Sequence, residues 1–208
     1  MNPKHFLTRI LPAATVTAGL LFAAPAADAA GKKKPVTATI ALGDKRPKRA
    51  HAAVAPCQNT DVLPSSSNLE VVRTAILCLH NEIRADKGLP LLKENAKLRK
   101  AAASHSSAMV NEGYFDHTSP DGDTFVDRVL GAGYAKRDAG WSLGENLAWG
   151  TGDLSSPAGV MQAWMNSAGH KANILKRSYR EIGIGVRLGV PSDESVGATI
   201  TTDFGVKL

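Results

Sequence analysis

Three residues in this sequence join reactive chemistry to a loop-like setting: His117, Glu145 and His170. His117 sits in the polar stretch Asp116-His117-Thr118-Ser119-Pro120, Glu145 stands between Gly144 and Asn146, and His170 follows Gly169 near an expected helix end. None belongs to an apolar stripe, and loop residues of these types are disproportionately functional because a rigid scaffold presents them. Two imidazoles and a carboxylate suit zinc or another divalent metal, since zinc accepts nitrogen and oxygen and leaves a fourth position to water. The same set would serve a hydrolase in which Glu145 is the general base. A serine route through Ser167 and His170 is weaker, because Ser167 lacks the glycines of a nucleophile elbow. The three residues are too far apart in sequence to form a local metal motif.

Each also has a plain structural reading. Glu145 can accept backbone N–H groups or pair with an arginine, and the two histidines can tie loops together. His105 falls on the apolar face of a helical pattern, which marks it as a core histidine. His80 belongs beside Leu79, with Asn81 and Arg84 tying the first helix to neighbouring loops. Trp164 lies at helical spacing from Val160 and Met161 and reads as core.

The elements that must position these groups follow from periodicity. Leu69, Val72, Ile76, Leu79 and Ile83 predict a helix over 68–87, opened by a Ser67/Glu70 capping box and stopped by Gly88 and Pro90. A second helix is predicted over 95–112, closed by Gly113, and a third over 124–130 after the turn Ser119-Pro120-Asp121-Gly122. A fourth begins at Ser155 or Ser156 with Pro157 in its first turn. The period then changes to two: Ile182, Ile184, Val186 and Leu188 alternate with Gly183, Gly185 and Arg187, which is a strand. Residues 198–204 supply a second strand, joined through 189–197 as an antiparallel hairpin, and 143–149 a third. Helices first and strands last give an α+β layered domain.

Composition fixes the compartment. Lys4 and Arg9 precede the apolar run 10–27, which ends in small residues, so residues 1–30 read as a secretory signal peptide. Its Ala-rich run, broken by Pro12, Gly19 and Pro25, falls short of the roughly 20 strongly apolar residues of a spanning helix, and no transmembrane segment is expected after cleavage. Residues 31–61 carry seven Lys or Arg against two Asp, whereas 62–208 carry sixteen of each sign. The folded part is therefore neutral overall, which argues against nucleic acid as a partner. The stretch 31–61 reads as a basic disordered linker, suited to a solvated spacer or to an anionic cell-wall polymer. Cys57 and Cys78 are expected to form a disulfide in an oxidising compartment, with two buried thiols as the alternative.

Several separate motifs then carry a resemblance. They are His80-Asn81 with Arg84; Phe115-Asp116-His117-Thr118-Ser119-Pro120-Asp121-Gly122; Gly144-Glu145-Asn146; Trp164 through Leu175 with Ser167, Gly169-His170 and Asn173-Ile174-Leu175; and the last-strand pieces Ile182-Gly183-Ile184-Gly185 and Asp203-Phe204-Gly205. In this order and spacing the chain resembles the CAP superfamily (cysteine-rich secretory, antigen 5 and pathogenesis-related proteins), in its bacterial secreted branch, with the domain over 62–208. The resemblance implies an α/β/α sandwich with a small antiparallel sheet covered by helices, and a cleft where His117, Glu145 and the region of His170 converge. The eukaryotic branch holds two His and two Glu there. This chain departs from it, since Ser167 stands where the second Glu of the Trp-x-x-Glu pattern would be.

The expected function is a secreted, extracellular or cell-wall associated binding module without catalysis. Its cleft would take a small apolar ligand or lipid, a partner protein or a divalent metal. A metal-dependent extracellular hydrolase is the alternative. Deleting residues 31–56 is predicted to leave the thermal midpoint nearly unchanged while retention on an anionic matrix falls; unchanged retention would place the attraction elsewhere.

Overall fold

The computed structural model describes residues 55–191 and 193–208. The expected signal peptide and residues 31–54 of the expected linker lie outside the described residues. The end of that linker is already fixed to the domain, through the disulfide between Cys57 and Cys78 and through Ala158 N–H donating to the Thr60 carbonyl at 2.8 Å. Closing a loop of this size contributes roughly 3 kcal/mol in the chain-entropy account.

The elements are α1 (Leu69–Asp86), β1 (Lys93–Glu94), α2 (Ala96–Glu112), α3 (Phe125–Gly131), β2 (Trp141–Thr151), α4 (Pro157–Asn166), α5 (Ala168–Leu175), β3 (Glu181–Val190) and β4 (Asp193–Lys207). The sheet order is β1-β3-β4-β2; the three long strands are antiparallel, and β1 adds a two-residue parallel pairing to β3. Helices on both faces complete the expected α/β/α sandwich.

Alternation along β3 explains both layers. Ile182 and Ile184 enter a core with Val72 and Ile76 of α1, Trp164 of α4 and Ile174 of α5. Gly183 and Gly185 face the opposite way, and a Cβ on either would collide with the backbone of α2 at Leu98–Arg99 and Ala102–Ala103. The glycines therefore let α2 lie directly on the sheet, where Leu98 and Ala101 join Val129 and Tyr134 in a second core.

Three local expectations are corrected. Ser67 and Glu70 form no capping box: Asn68 occupies the N-cap without a side-chain cap bond, and Glu70 turns to Arg73 and Arg99. The fourth helix is two helices, because Ser167 adopts an extended conformation (φ −100°, ψ 123°) that ends α4 and starts α5. His170 thus lies at the N-terminal end of α5, in its first turn. The turn between the last strands is shorter than 189–197, since β4 already begins at Asp193.

The first helix is locked by its polar residues. Asn81 brackets Leu92, donating to its carbonyl at 3.0 Å and accepting from its N–H at 2.7 Å. His80 donates through Nδ1 to the Ile76 carbonyl, and burial lowers its pKa to about 4, so it stays neutral. Arg84 is fully buried and, among the described residues, pairs with no carboxylate. Its guanidinium donates to the carbonyls of Pro90 (2.9 Å), Ile174 (2.7 Å), Lys176 (3.1 Å) and Tyr179 (3.2 Å). Burial, with Arg180 nearby, lowers its pKa to about 10, which still leaves it charged at neutral pH. Arg84→Met keeps most of the side-chain volume but orphans four carbonyls. It is predicted to lower unfolding stability by about 3 kcal/mol or more, read as a drop in the urea midpoint at unchanged m-value.

Candidate functional site

The loop bearing His117 is assembled by local capping. Gly113 closes α2 at φ 69°, Asp116 accepts from Thr118 N–H at 2.8 Å, and Thr124 with Asp127 forms a capping box that opens α3. Arg128, one turn into α3, clamps this loop to the sheet. Its Nη1 donates to Ser119 Oγ (3.1 Å) and the Asp123 carbonyl (2.9 Å), and its Nη2 donates to the His117 carbonyl (2.9 Å) and to Glu145 Oε2 (2.9 Å). Beneath the loop, buried His105 donates from Nε2 to the Asp116 carbonyl at 3.0 Å, with the Tyr114 hydroxyl 3.4 Å from Nδ1.

Glu145, on β2, is the electrostatic centre. Its side chain is 1% exposed, whereas that of His117 is 52% exposed, and His117 Nδ1–H donates to Oε1 at 2.8 Å. That hydrogen bond raises the His117 pKa, overcoming partial desolvation. Directly across the strand pairing stands Asp203, buried, with Oδ1 unpartnered among the described residues. Burial, together with the Glu145 carboxylate, holds Asp203 well above the usual carboxylate range.

The other face of β2 is organised by α4, α5 and the turn after them. Tyr179 Oη donates to the Leu143 carbonyl (2.7 Å), Asn173 Nδ2 to that of Glu145 (3.0 Å) and Trp164 Nε1 to that of Leu147 (2.9 Å). Asn146 accepts from Asn173 and donates to the His170 carbonyl at 3.1 Å. Gly144 leaves the space these groups need, because a Cβ there would collide with the Tyr179 hydroxyl.

His117 and Glu145 are therefore in direct contact, while the His170 ring hydrogen-bonds to neither among the described residues. Burial lowers the His170 pKa, and its ring lies 6.5 Å from that of Trp164. It stands in a groove of about 250 Å³ that straddles β2, lined by Phe115, Leu147, Trp149, Trp164 and Ser167. Phe115 and Trp149 are 44% and 45% exposed. The donor set does not fit zinc as arranged: both Glu145 oxygens are held by Arg128 and His117, and no group of three His, Cys, Asp or Glu is placed to hold a metal among the described residues. Asp203 entered the sequence analysis only within the last-strand motif Asp203-Phe204-Gly205, with no role in the site, and Arg128 did not enter it at all. The one local signal for Arg128 is a basic residue one turn after a capping box.

Comparison with known proteins agrees with this architecture. The CAP family profile, described as the cysteine-rich secretory protein family, matches residues 77–195. The uncharacterized protein YkwD of Bacillus subtilis (strain 168) is 32% identical over 153 residues, covering 73% of this chain and 57% of that one. An extracellular protein containing an SCP domain from Bacillus anthracis str. Ames superposes with a TM-score of 0.53 at 26% identity, over 68% of this chain and 43% of that one. An outer surface protein from Borrelia burgdorferi shares the fold, with a TM-score of 0.55 at 20% identity over 70% of this chain and 97% of that one. This chain spans little more than half of YkwD and less than half of the Bacillus anthracis protein. With its family profile matching more than half of the sequence and its layers and strand order in place, the chain belongs to the CAP (cysteine-rich secretory protein) family.

Proposed function

We propose that this domain is a non-enzymatic extracellular or cell-envelope binding module whose β2 groove takes a small apolar molecule. The observation that carries the reading is the pair of exposed aromatic side chains, Phe115 and Trp149, flanking an apolar groove that ends on His170. Exposed aromatics around a concave apolar lining are what a ligand site offers, since each ring gains from burial. The relatives described as an extracellular protein and an outer surface protein support the location. His117, beside the groove residue Phe115, supplies a cation to an anionic headgroup when protonated.

Phe115→Ala and Trp149→Ala are each predicted to weaken binding of the apolar anion 1-anilinonaphthalene-8-sulfonate at least fivefold, measured by fluorescence titration. Binding by both variants as tightly as the parent would remove the groove from consideration. pH separates this reading from a metal-dependent hydrolase. Because His117 has a raised folded-state pKa, its charge, and the stability it lends, are fully present below the unfolded value of about 6.5 and are lost as pH rises through the folded value. Binding of the anionic probe should weaken over that rise. Zinc affinity at an imidazole site would strengthen over the same rise, and calorimetric zinc titration with His117→Ala and His170→Ala beside the parent reads it. Proton NMR should show His117 titrating above 6.5 and His80, His105 and His170 below it, with the His117 shift abolished in Glu145→Gln.

A further inference from the structure

The neutral charge count of the folded segment hides a segregation that only the strand register reveals. At one end of the sheet the pairing sets Lys93 opposite Glu181, Glu181 opposite Gly205, and Trp141 opposite Lys207. Arg180 immediately precedes β3, and the turn that delivers it carries Lys176 and Arg177. Five cations, Lys93, Lys176, Arg177, Arg180 and Lys207, are thus gathered at this end from separate elements, and all are exposed.

Two acids at this end are already engaged. Glu181 is held by Asn95 at 2.8 Å and by Tyr134 at 2.6 Å, and Glu94 is bound by Arg73. Among the described residues no salt bridge engages any of the five cations, and the sequence from 154 to 180 contains no Asp or Glu.

Three of the five are also held in place without being neutralised. Lys176 Nζ sits 4.7 Å from the Tyr179 ring centroid and donates to Ser142 Oγ at 3.1 Å. Lys207 Nζ lies 4.8 Å from the Tyr134 ring centroid. The Arg180 guanidinium donates to the carbonyls of Arg177, Ser178 and Tyr179. Aromatic faces and carbonyls orient a cation yet leave its charge, which lowers the ordering cost of meeting an anion.

We propose that this end of the sheet is a docking surface for a flexible polyanion with repeating phosphates, separate from the β2 groove. The cations lie on β1, on β4 and in the turn into β3, with Lys176 reaching Ser142 on β2, a span of roughly 14 Å at a strand spacing of about 4.8 Å. A single phosphate meets one or two of them weakly, whereas a chain meets several at once and gains by multivalency. The basic segment 31–61 adds to the same attraction but is not required for it.

The test uses the full mature chain with its seven tail cations at 32–34, 45, 46, 48 and 49 changed to Gln, titrated with long-chain polyphosphate by fluorescence anisotropy. Saturable binding should persist, and the logarithm of the affinity should fall with that of salt with a slope of roughly 3, given about 0.7 per phosphate engaged on a flexible strand. Adding Arg177→Gln with Lys207→Gln, which breaks no side-chain hydrogen bond described above, should weaken binding at least fivefold. Lys100→Gln with Arg187→Gln, an equal charge change, should cost less than twofold; Arg187 lies roughly 20 Å along β3 from this end. Equal losses in the two variants would reduce the effect to net charge and overturn the proposal. So would loss of all binding on tail neutralisation, an affinity for inorganic phosphate equal to that for the polymer, or binding confined to vesicles of anionic phospholipid.

Discussion

A buried guanidinium bound to four backbone carbonyls organises this domain. Arg84 reaches from α1 to the carbonyls of Pro90, Ile174, Lys176 and Tyr179, joining the first helix to the approach to β1, the end of α5 and the turn into β3. An arginine suits the position because its planar fork serves several acceptors at once, which a lysine cannot match. Everything downstream inherits its placement from this point. Asn173 and Tyr179 bind the β2 backbone at the carbonyls of Glu145 and Leu143, and they bound the segment that Arg84 holds.

The site depends on β2 having two differently furnished faces. Glu145 faces the α2–α3 layer, where Arg128 binds its carboxylate beside buried Asp203 and His117 stays half exposed. Asn146 faces the α5 layer and fixes the backbone at His170. Three motif residues in a row, Gly144, Glu145 and Asn146, therefore do separate jobs: one makes room, one carries charge, and one holds the neighbouring helix. The groove crosses the strand just beyond them, so its apolar rim and its polar end rest on one rigid element.

Much of this was legible in the sequence, and the remainder was hidden for identifiable reasons. Periodic runs gave α1, α2 and β3, and the strands at 198–204 and 143–149 were expected beside it. The Cys57–Cys78 pair, the core roles of His105 and Trp164, and the tying roles of Asn81 and Arg84 also followed from residue type and position. β1 escaped because two residues carry no period. The break between α4 and α5 escaped because a single extended residue, Ser167, makes it. Arg128 and Asp203 matter through strand register and helix orientation, quantities that no window of sequence contains. The same holds for the cations at the sheet end, which a segment count reports as balanced.

The hydrogen bonds that Tyr179, Asn173 and Trp164 give to the β2 carbonyls have a consequence beyond the groove. β2 is an outermost strand of the sheet, eleven residues long, and such a strand ordinarily offers a template on which another chain can add and aggregate. Three consecutive outward carbonyls are occupied by side chains of the same molecule, and the opposite border of the sheet is the two-residue β1. The residues that shape the groove thus also cover the acceptors that an added strand would need along this stretch of β2.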